Sequence, residues 1–481
     1  MYFPKGLLFF GISMSMFLHG LVLANYSMAL TKSLLYYEAQ RSGKLPRGQR
    51  VKWRSDSALS DGRYSGINLS GGYYDAGDNV KYGLPMAYTV TMLAWSVVEY
   101  QLQLSNKREL FHTLDAIKWG TDYFIKAHPK PNVFYGEVGD GNSDHQCWQR
   151  PEDMTTPRTL YMINSSHPGS DLAGETAAAL AAASLAFRRS NSIYAGTLLK
   201  HAKQLYSFAS SNKGIYHRSI IPAGKFYSSS GYEDELTWAA TWLYHATGDQ
   251  KYVDRMVQAG SGGTRSMFSW DDKYVGAQLL VTKFLIQKKL RDKRLWDYKN
   301  KAEEFVCNVI QKGYNNVGRT SAGLLWWTQW NNLQYVTSSM FIATTYSNYL
   351  QASRSNLKCA RGHVAPSEII SFVHSQVNYI LGSNPKHMSY MVGYGPNYPQ
   401  KVHHRGASIV SINKDHTHVA CKEGFVKWLN KNTPNPNVLD GAIVGGPDQS
   451  DNYNDHRGNF QQGEAATANT APLVGVLARL A

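Results

Sequence analysis

The stretch Gly71-Gly-Tyr-Tyr-Asp-Ala-Gly-Asp-Asn-Val-Lys-Tyr-Gly83 places two carboxylates three residues apart, in a segment that contains four glycines. A long apolar run begins directly after it at Leu84. Glycine lets the backbone approach a ligand closely, and the tyrosines offer flat amphipathic faces beside the acids. Asp75 and Asp78 are therefore candidates for general-base work on a water molecule. The alternative is a turn in which one aspartate caps the next helix, and spacing alone does not decide between them.

A second acidic stretch lies at Asp448–Thr467, which reads Asp-Gln-Ser-Asp-Asn-Tyr-Asn-Asp-His-Arg-Gly-Asn-Phe-Gln-Gln-Gly-Glu-Ala-Ala-Thr. Here Glu464 opens a helical run of small residues, after a polar loop that carries Asp455. Taken alone, Glu464 is equally an acid in the first turn of a helix, where the helix dipole favours it. The two stretches have to be interpreted together.

Together they resemble glycoside hydrolase family 9, the cellulase family with an Asp-Ala-Gly-Asp motif near the N-terminus and an essential Glu near the C-terminus. The resemblance implies an endo-β-1,4-glucanase that hydrolyses cellulose-type or mixed-linkage β-glucan with inversion. Glu464 is then the general acid, Asp78 the base, and Asp75 orients the attacking water. Asp455 also matches the C-terminal signature and is expected to position Glu464 or the sugar. The run from Pro168 to Ala177 is similar to animal members and predicts an animal digestive enzyme.

The same resemblance implies a set of sugar-binding residues along the chain. A His in a Gly-Asp-Gly loop, a Trp and Tyr in an aromatic cluster, and a His-x-Arg signature each have a counterpart here. We also expect one tyrosine to line the cleft. The predicted residues are His145, Tyr227, Trp330, Tyr335, His403 and Arg405. Without the resemblance, the aromatic cluster would be interpreted as core and His145 as a surface residue.

A calcium site is predicted around the segment Ser-Gly-Tyr-Glu-Asp-Glu. In some family members this segment binds calcium, and carboxylates with backbone carbonyls are suitable oxygen ligands. The predicted ligands are Ser230, Gly231, Asp234, Glu235 and Asp271. The alternative is an ordinary acidic helix N-terminus. We expect no catalytic cofactor, since the paired histidines 403 and 404 lack a convincing set of partners for zinc.

The chain departs from the family just after the predicted acid. Many members have a Tyr four residues beyond the Glu and an Asn six residues beyond, where this chain has Ala468 and Thr470. Loss of the Tyr is expected to weaken a contact at the cleaved sugar and to broaden specificity. It does not remove the acid.

Apolar periodicity predicts twelve helices and no ladder of alternating strands. The predicted segments are 28–41, 86–104, 109–127, 172–190, 192–211, 232–247, 249–258, 272–288, 297–312, 332–351, 366–382 and 464–480. Periodicity alone indicates only an all-α fold, whereas the resemblance implies six helical hairpins closed into an (α/α)6 barrel. The long interruptions 42–85, 128–171, 212–231, 313–331 and 383–463 are predicted to include functional loops at one end.

Composition indicates a secreted protein of 481 residues without an internal linker. Residues 1–24 are predicted to be a secretory signal peptide and 25–481 the catalytic domain; a membrane anchor is the alternative for the first segment. Four cysteines are expected to form one or two disulfides of undetermined pairing, with free buried thiols as the alternative. The net charge of +15 comes from scattered Lys and Arg, so we expect neither a nucleic-acid nor a membrane partner, and a monomer.

Two rival functions remain open at this point. The first is a processive exoglucanase or exo-glucosaminidase on the same scaffold. The second is a cell-wall-binding protein that has lost catalysis. The presence of Asp75, Asp78 and Glu464 together argues against the second, because a protein that only binds needs neither an acid nor a base.

Overall fold

The computed structural model describes residues 24–481. Its α-helices, in chain order, are α1 Tyr26–Ala39, α2 Gly83–Asn106, α3 Leu110–Ala127, α4 Gly141–Asp144, α5 Ser170–Phe187, α6 Ser192–Ser211, α7 Tyr216–Ser219, α8 Glu233–Thr247, α9 Gln250–Ala259, α10 Tyr274–Ile286, α11 Trp296–Val309, α12 Leu333–Ser353, α13 Pro366–Ile380, α14 Arg405–Ser408, α15 Phe460–Gly463 and α16 Thr467–Leu480. The predicted signal peptide lies outside the described residues, apart from Ala24.

The long helices form two concentric layers. Six of them pack side by side in a closed ring, in the order α2, α5, α8, α10, α12 and α16, and α16 contacts α2 again. The other six, α1, α3, α6, α9, α11 and α13, pack against the outside. A helix of the inner ring has neighbours on every side, so it is apolar all round. Helix α5 shows this most clearly, because every residue except Leu185 is buried. This confirms the predicted (α/α)6 barrel.

The alternation of outer and inner helices decides where the long loops lie. Each of the five predicted long loops follows an outer helix and precedes an inner one. Consecutive helices of this barrel run in opposite directions, so all five loops meet at the end where the inner helices begin. The twelve predicted helices all exist, and their ends differ from the predicted ones by a few residues.

The loops carry short elements that the apolar pattern does not predict. Strands β1 Lys81–Tyr82, β2 Val133–Val138 and β3 Leu160–Asn164 form an antiparallel sheet in that order, and β4 Leu357–Cys359 pairs with β5 Gly362–Val364. They are only two to six residues long, too short for alternation to be recognised. In the same region, Glu464 does not open a helix as predicted. It has extended backbone between α15 and α16, and the helix begins at Thr467.

Two disulfides join segments that are distant in sequence. Cys147 pairs with Cys421 and Cys307 with Cys359, across 274 and 52 residues of sequence. The first bridge connects two segments that meet only at the loop-bearing end of the barrel. None of the helices between residues 24 and 481 is both long and apolar enough to cross a bilayer.

Candidate active site

A cavity of about 790 Å³ opens at the end of the barrel where the inner helices begin. Every predicted catalytic and sugar-binding residue lines this cavity except Asp455. Those that do are Asp75, Asp78, His145, Tyr227, Trp330, Tyr335, His403, Arg405 and Glu464. They come from six different loops or helix starts, so the barrel brings together residues that are almost 400 positions apart in sequence.

The loop that carries the two aspartates packs directly against the segment containing the predicted acid. A Cβ atom at Gly77 would lie 2.3 Å from the carbonyl oxygen of His403 and 3.0 Å from Oε1 of Glu464. The Gly77 N–H instead donates a hydrogen bond to that Oε1, at 3.1 Å. Gly77 is therefore required by close approach, and it brings Asp75 and Asp78 to the same cavity as Glu464.

Asp75 is buried, and both its carboxylate oxygens accept hydrogen bonds. Tyr227 donates its hydroxyl to Oδ2, and Thr467 donates its hydroxyl to Oδ1 at 3.4 Å. Burial and the neighbouring charge of Asp78 raise the pKa of Asp75 to about 7, although the two hydrogen bonds act in the opposite direction. Tyr227 therefore contacts a catalytic candidate directly, a role more specific than the predicted lining of the cleft.

Asp78 is less occupied than Asp75. Among the described residues, its carboxylate accepts one hydrogen bond, from the backbone N–H of Val80 at 3.3 Å. Burial and the charge of Asp144 raise the pKa of Asp78, while His145 and Arg405 lower it in part. Asp78 thus keeps a carboxylate oxygen free to take a proton from water.

Glu464 has the environment of a general acid. Burial and the charge of Asp78 raise its pKa to about 8, and the Gly77 N–H and Arg405 offset only part of that rise. At neutral pH the Glu464 carboxyl therefore keeps its proton. A carboxylic acid held neutral beside ionisable aspartates is the pairing that general acid–base catalysis needs.

His403 faces the cavity as a neutral imidazole. Its Nδ1 lies 2.7 Å from the carbonyl oxygen of Arg457, which can only accept, so Nδ1 carries the proton. Burial lowers the pKa of His403 to about 3, so the ring stays uncharged in the physiological range. Its Nε2 is then a hydrogen-bond acceptor, able to take a hydrogen bond from a hydroxyl group.

Arg405 and Asp455 make contacts with the backbone that the sequence did not predict. The guanidinium of Arg405 is buried and bonds to the carbonyls of Gly77 and Cys147, both at 3.1 Å, and to Asp144. Arg405 therefore holds the Asp75–Asp78 loop in place while it lines the cavity. Asp455 lies outside the cavity and accepts the backbone N–H groups of Gln400 and Lys401, at 2.7 and 3.0 Å. It orders the chain just before His403.

Aromatic side chains form the walls between these groups. His145 stacks on Phe226 with ring centroids 4.8 Å apart, and Trp330 packs against Phe460 at 5.1 Å. Trp330 is 51% exposed, so its ring offers a face to a ligand. Several further residues line the cavity that were not predicted from the sequence, namely Tyr82, Trp148, Phe226, Trp270, Phe425, Leu429 and Phe460. Most of them lie within five residues of a predicted residue, so closeness in sequence is the signal that could have identified them.

Two acidic groups are relevant to metal binding. Asp78, Asp144 and His145 place ligand atoms within 4.8 Å of one another, but Asp144 already pairs with Arg405 at 3.1 Å. In the predicted calcium segment, Glu235 is fully buried and its Oε1 lies 3.0 Å from the ammonium of Lys273. Because this cation already compensates Glu235, that residue does not fit the role of a calcium ligand.

The other predicted calcium ligands are only partly engaged. Asp234 accepts the backbone N–H of Lys273 at 2.7 Å, and Asp271 accepts that of Ser230 at 2.8 Å. Burial raises the pKa of Asp271, and the charge of Asp234 adds to that rise. The calcium site stays a prediction, and the predicted ligands left to it are Ser230, Gly231, Asp234 and Asp271.

Of the two positions at which the chain departs from the family after Glu464, position 468 lies at the cavity. Ala468 is part of its wall, in the first turn of α16. Thr470, two residues further along α16, is buried, and its hydroxyl accepts the N–H of Ile443 at 3.2 Å. A small side chain at 468 leaves space beside the carboxylates, whereas Thr470 has a structural contact.

Comparisons with known proteins agree with this arrangement. The model of the family described as glycosyl hydrolase family 9 matches residues 26–477. Endoglucanase 13 of Arabidopsis thaliana is 59% identical over 458 residues, covering 95% of this chain and 94% of its own length. This identity is higher than the 41% to a termite endoglucanase structure, so the animal-type expectation is not supported.

Solved structures give the same result. The endoglucanase of the termite Nasutitermes takasagoensis superposes with a TM-score of 0.84, covering 95% of this chain and 98% of that one. Endoglucanase CelQ of Clostridium thermocellum, solved with cellobiose and cellotriose, is 31% identical with a TM-score of 0.78 and covers 95% and 70%. The matches extend over the barrel and all its loops. This chain belongs to glycosyl hydrolase family 9.

Proposed function

We propose that this protein is an endo-β-1,4-glucanase, which hydrolyses internal bonds of cellulose-type β-glucan by an inverting general acid–base mechanism. One observation carries the proposal. Glu464, whose pKa is raised to about 8, shares one cavity with an aspartate pair that has a free carboxylate oxygen. Family membership and the endoglucanase names of the relatives support the substrate class.

The reaction needs two proton transfers. Glu464 gives its proton to the glycosidic oxygen as the bond from that oxygen to the anomeric carbon breaks. Asp78 takes a proton from a water molecule whose oxygen attacks the same carbon from the opposite face. Inversion then requires acid and base carboxyl groups about 6.5–9.5 Å apart, so that the water fits between base and sugar.

The hydrogen bonds favour Asp78 rather than Asp75 as the base. Both oxygens of Asp75 accept bonds, from Tyr227 and Thr467, whereas Asp78 accepts one from Val80. Asp75 orients the water and shares its proton, because two neighbouring carboxylates disfavour double ionisation. Tyr227 fixes the orientation of Asp75.

The substrate is held by flat apolar faces and one neutral acceptor. Trp330 offers an exposed indole face, suited to a sugar ring, and His145 and Tyr335 line the same cavity. His403 Nε2 accepts a hydrogen bond from a hydroxyl of the sugar beside the scissile bond. Arg405 contributes by positioning Gly77 between the two catalytic segments.

Family 9 cellulases need no catalytic cofactor, and every proton transfer above uses a side chain of this protein. Calcium, where bound, would be held by Ser230, Gly231, Asp234 and Asp271 and would stabilise the loop that carries Tyr227. We further propose that residues 1–24 direct secretion, that residues 25–481 form one catalytic domain, and that the protein acts as a monomer.

The test is hydrolysis of carboxymethyl cellulose by purified protein, followed by viscosity and by reducing ends. Internal cleavage lowers viscosity steeply while few reducing ends appear. A slow fall in viscosity with steady release of short products would instead indicate the exoglucanase. Polymer binding without any products would indicate the cell-wall-binding protein, and Glu464→Gln serves as the inactive control.

A further inference from the structure

The side chain of Arg457 gathers the backbone of a loop that runs from residue 425 to residue 435. Arg457 is only 2% exposed, and all three of its guanidinium nitrogens donate hydrogen bonds. The acceptors are the carbonyls of Trp428 (2.6 Å), Leu429 (3.2 Å), Lys431 (2.7 Å) and Thr433 (2.8 Å), and the side-chain oxygen of Asn435 (2.8 Å). One buried cation therefore satisfies four backbone carbonyls of this loop at once.

This loop is a wall of the active-site cavity. Phe425 and Leu429 line the cavity. They are the first and last residues of a single turn of π-helix, Phe425–Leu429. Behind them lies a small apolar cluster of Trp148, Ile409 and Val419, separate from the main core. So little apolar burial does not by itself fix a wall, which makes the polar anchor at Arg457 important.

The backbone of the same arginine holds the cavity histidine. The carbonyl oxygen of Arg457 lies 2.7 Å from Nδ1 of His403. Asn435, which Arg457 binds, donates to the carbonyl of Val402 at 3.0 Å. His403 in turn donates its backbone N–H to Gly463 at 3.1 Å, directly beside Glu464. Arg457 thus contacts both the 425–435 loop and His403, and His403 contacts the segment that carries Glu464.

We propose that Arg457 is a positioning residue, which couples the 425–435 wall to His403 and so fixes the imidazole for the bound sugar. Its guanidinium holds the wall, and its carbonyl holds the ring with Nε2 toward the cavity. This inference rests on the proposed function only in taking a β-glucan as the substrate.

The coupling has a physical reason. A neutral imidazole chooses its tautomer by the hydrogen bond at its other nitrogen, and here that partner is a backbone carbonyl. If the guanidinium loses its acceptors, the backbone at 457 is free to shift and the ring loses its fixed orientation. Misplacement of a binding group by about 1 Å is enough to lower a rate by about 10²-fold.

The experiment measures kcat and KM on cello-oligosaccharides for Arg457→Gln, Arg457→Lys and Asn435→Ala in the full-length protein. We expect kcat/KM to fall about tenfold to a hundredfold in Arg457→Gln, with lower kcat and higher KM. Arg457→Lys keeps a cation with three donors and should recover part of the loss. Asn435→Ala should show a smaller loss of the same kind, and it provides the test if Arg457→Gln does not fold.

Arg150 provides the matched control. It is another buried arginine that gathers carbonyls, those of Val410 (2.7 Å), Asp415 (2.9 Å) and Thr417 (2.8 Å), but it does not contact His403 or the 425–435 loop. We expect Arg150→Lys to lower Tm about as much as Arg457→Lys while kcat stays within about twofold of wild type. An equal loss of kcat in both variants would overturn the proposal.

A second readout follows the imidazole itself. In ¹⁵N NMR spectra the wild type should show His403 protonated at Nδ1, and Arg457→Gln should show exchange between tautomers. An unchanged His403 signal with wild-type kcat and KM in a folded Arg457→Gln would contradict the proposal. Failure of the wild type to cut β-glucan would refute the proposed function alone, because the NMR signature is independent of turnover.

Discussion

Asp61 is a buried and Glu464 a half-buried carboxylic acid at the loop-bearing end of the protein, and their surroundings have opposite effects on pKa. Burial alone would raise the pKa of Asp61, but Lys81 at 2.6 Å and Arg158 at 2.9 Å outweigh it and lower the pKa. Among the described residues, no cation contacts the Glu464 carboxyl directly, and its pKa rises to about 8. Ion pairs therefore keep Asp61 charged as part of the structure, whereas Glu464 without such a partner keeps its proton and can act as an acid.

The two environments belong to one stretch of chain. Lys81 is only three residues beyond Asp78, and its ammonium also donates to the carbonyls of Leu69 and Gly71, at 2.7 and 2.9 Å. One part of the Gly71–Gly83 segment is thus fixed by a paired cation, while another presents unpaired acids to the cavity. Asp75 and Asp78 line the cavity, whereas Lys81 and Asp61 do not.

The largest expected effect is the loss of the acid. Glu464→Gln keeps the shape of the side chain but cannot donate a proton, so kcat on soluble β-glucan should fall by about 10³–10⁴-fold. Steady-state kinetics measure this, with circular dichroism as the control for folding. A fall of less than tenfold would exclude Glu464 as the acid.

The same variant sharpens the comparison through stability. The fold disfavours the ionised form of Glu464, so wild type loses stability as pH rises from the usual carboxyl range through about 8. Glu464→Gln has no such penalty. Its Tm should match wild type near pH 4 and exceed it near pH 9, and the opposite order at pH 9 would contradict the raised pKa.

Asp61→Asn should have the reverse effect, a large change in stability with little change in chemistry. It leaves Lys81 and Arg158 buried without their carboxylate, which costs about 3–5 kcal/mol of unfolding free energy. Urea unfolding measures that cost. Below the unfolding transition, kcat per folded molecule should remain within a few-fold of wild type. A stable but inactive variant would place Asp61 in the chemistry instead.

Tyr227→Phe should have an intermediate effect on activity. The variant removes the Tyr227 hydroxyl. In the wild type this hydroxyl donates to Asp75 and so lowers the pKa of that acid. We expect kcat to fall about tenfold and the acidic limb of the pH–rate profile to move to higher pH. Tyr335→Phe, also in the cavity wall, is the matched control and should leave that limb unchanged.

The smallest expected effect concerns the sugar-binding surface. Trp330→Ala removes an exposed ring face that packs on Phe460, and it should raise KM several-fold with little change in kcat. Kinetics on cellotetraose and cellopentaose measure this. A large loss of kcat with an unchanged KM would assign Trp330 to the chemical step instead.

Much of the fold could be predicted from the sequence, because each long helix carries its own apolar pattern. The alanine-rich segment that became α5 has no polar face, as expected for a helix with neighbours on all sides. The Asp75, Asp78 and Glu464 cluster could be predicted only through the family resemblance. Nothing local relates positions almost 400 residues apart.

What could not be predicted depends on tertiary contacts. Arg405 and Asp455 are polar residues in matched motifs, and only the folded loops show that they bind carbonyls and backbone N–H groups. The pairing of Cys147 with Cys421 depends on the same loop arrangement. For Glu235, the counter-charge comes from Lys273, which is 38 residues away. These residues show partners that sequence spacing does not record.

The most direct test of the account is the pH dependence of kcat/KM for wild type and Glu464→Gln on a soluble cello-oligosaccharide. The account predicts a bell-shaped profile for wild type, because the base must be ionised and the acid protonated. Its alkaline limb should lie near pH 8, the raised pKa of Glu464, and should be absent from the residual activity of Glu464→Gln. An alkaline limb that persists in Glu464→Gln would contradict the assignment of Glu464 as the acid. A wild-type profile whose alkaline limb lies near pH 5 would contradict it as well.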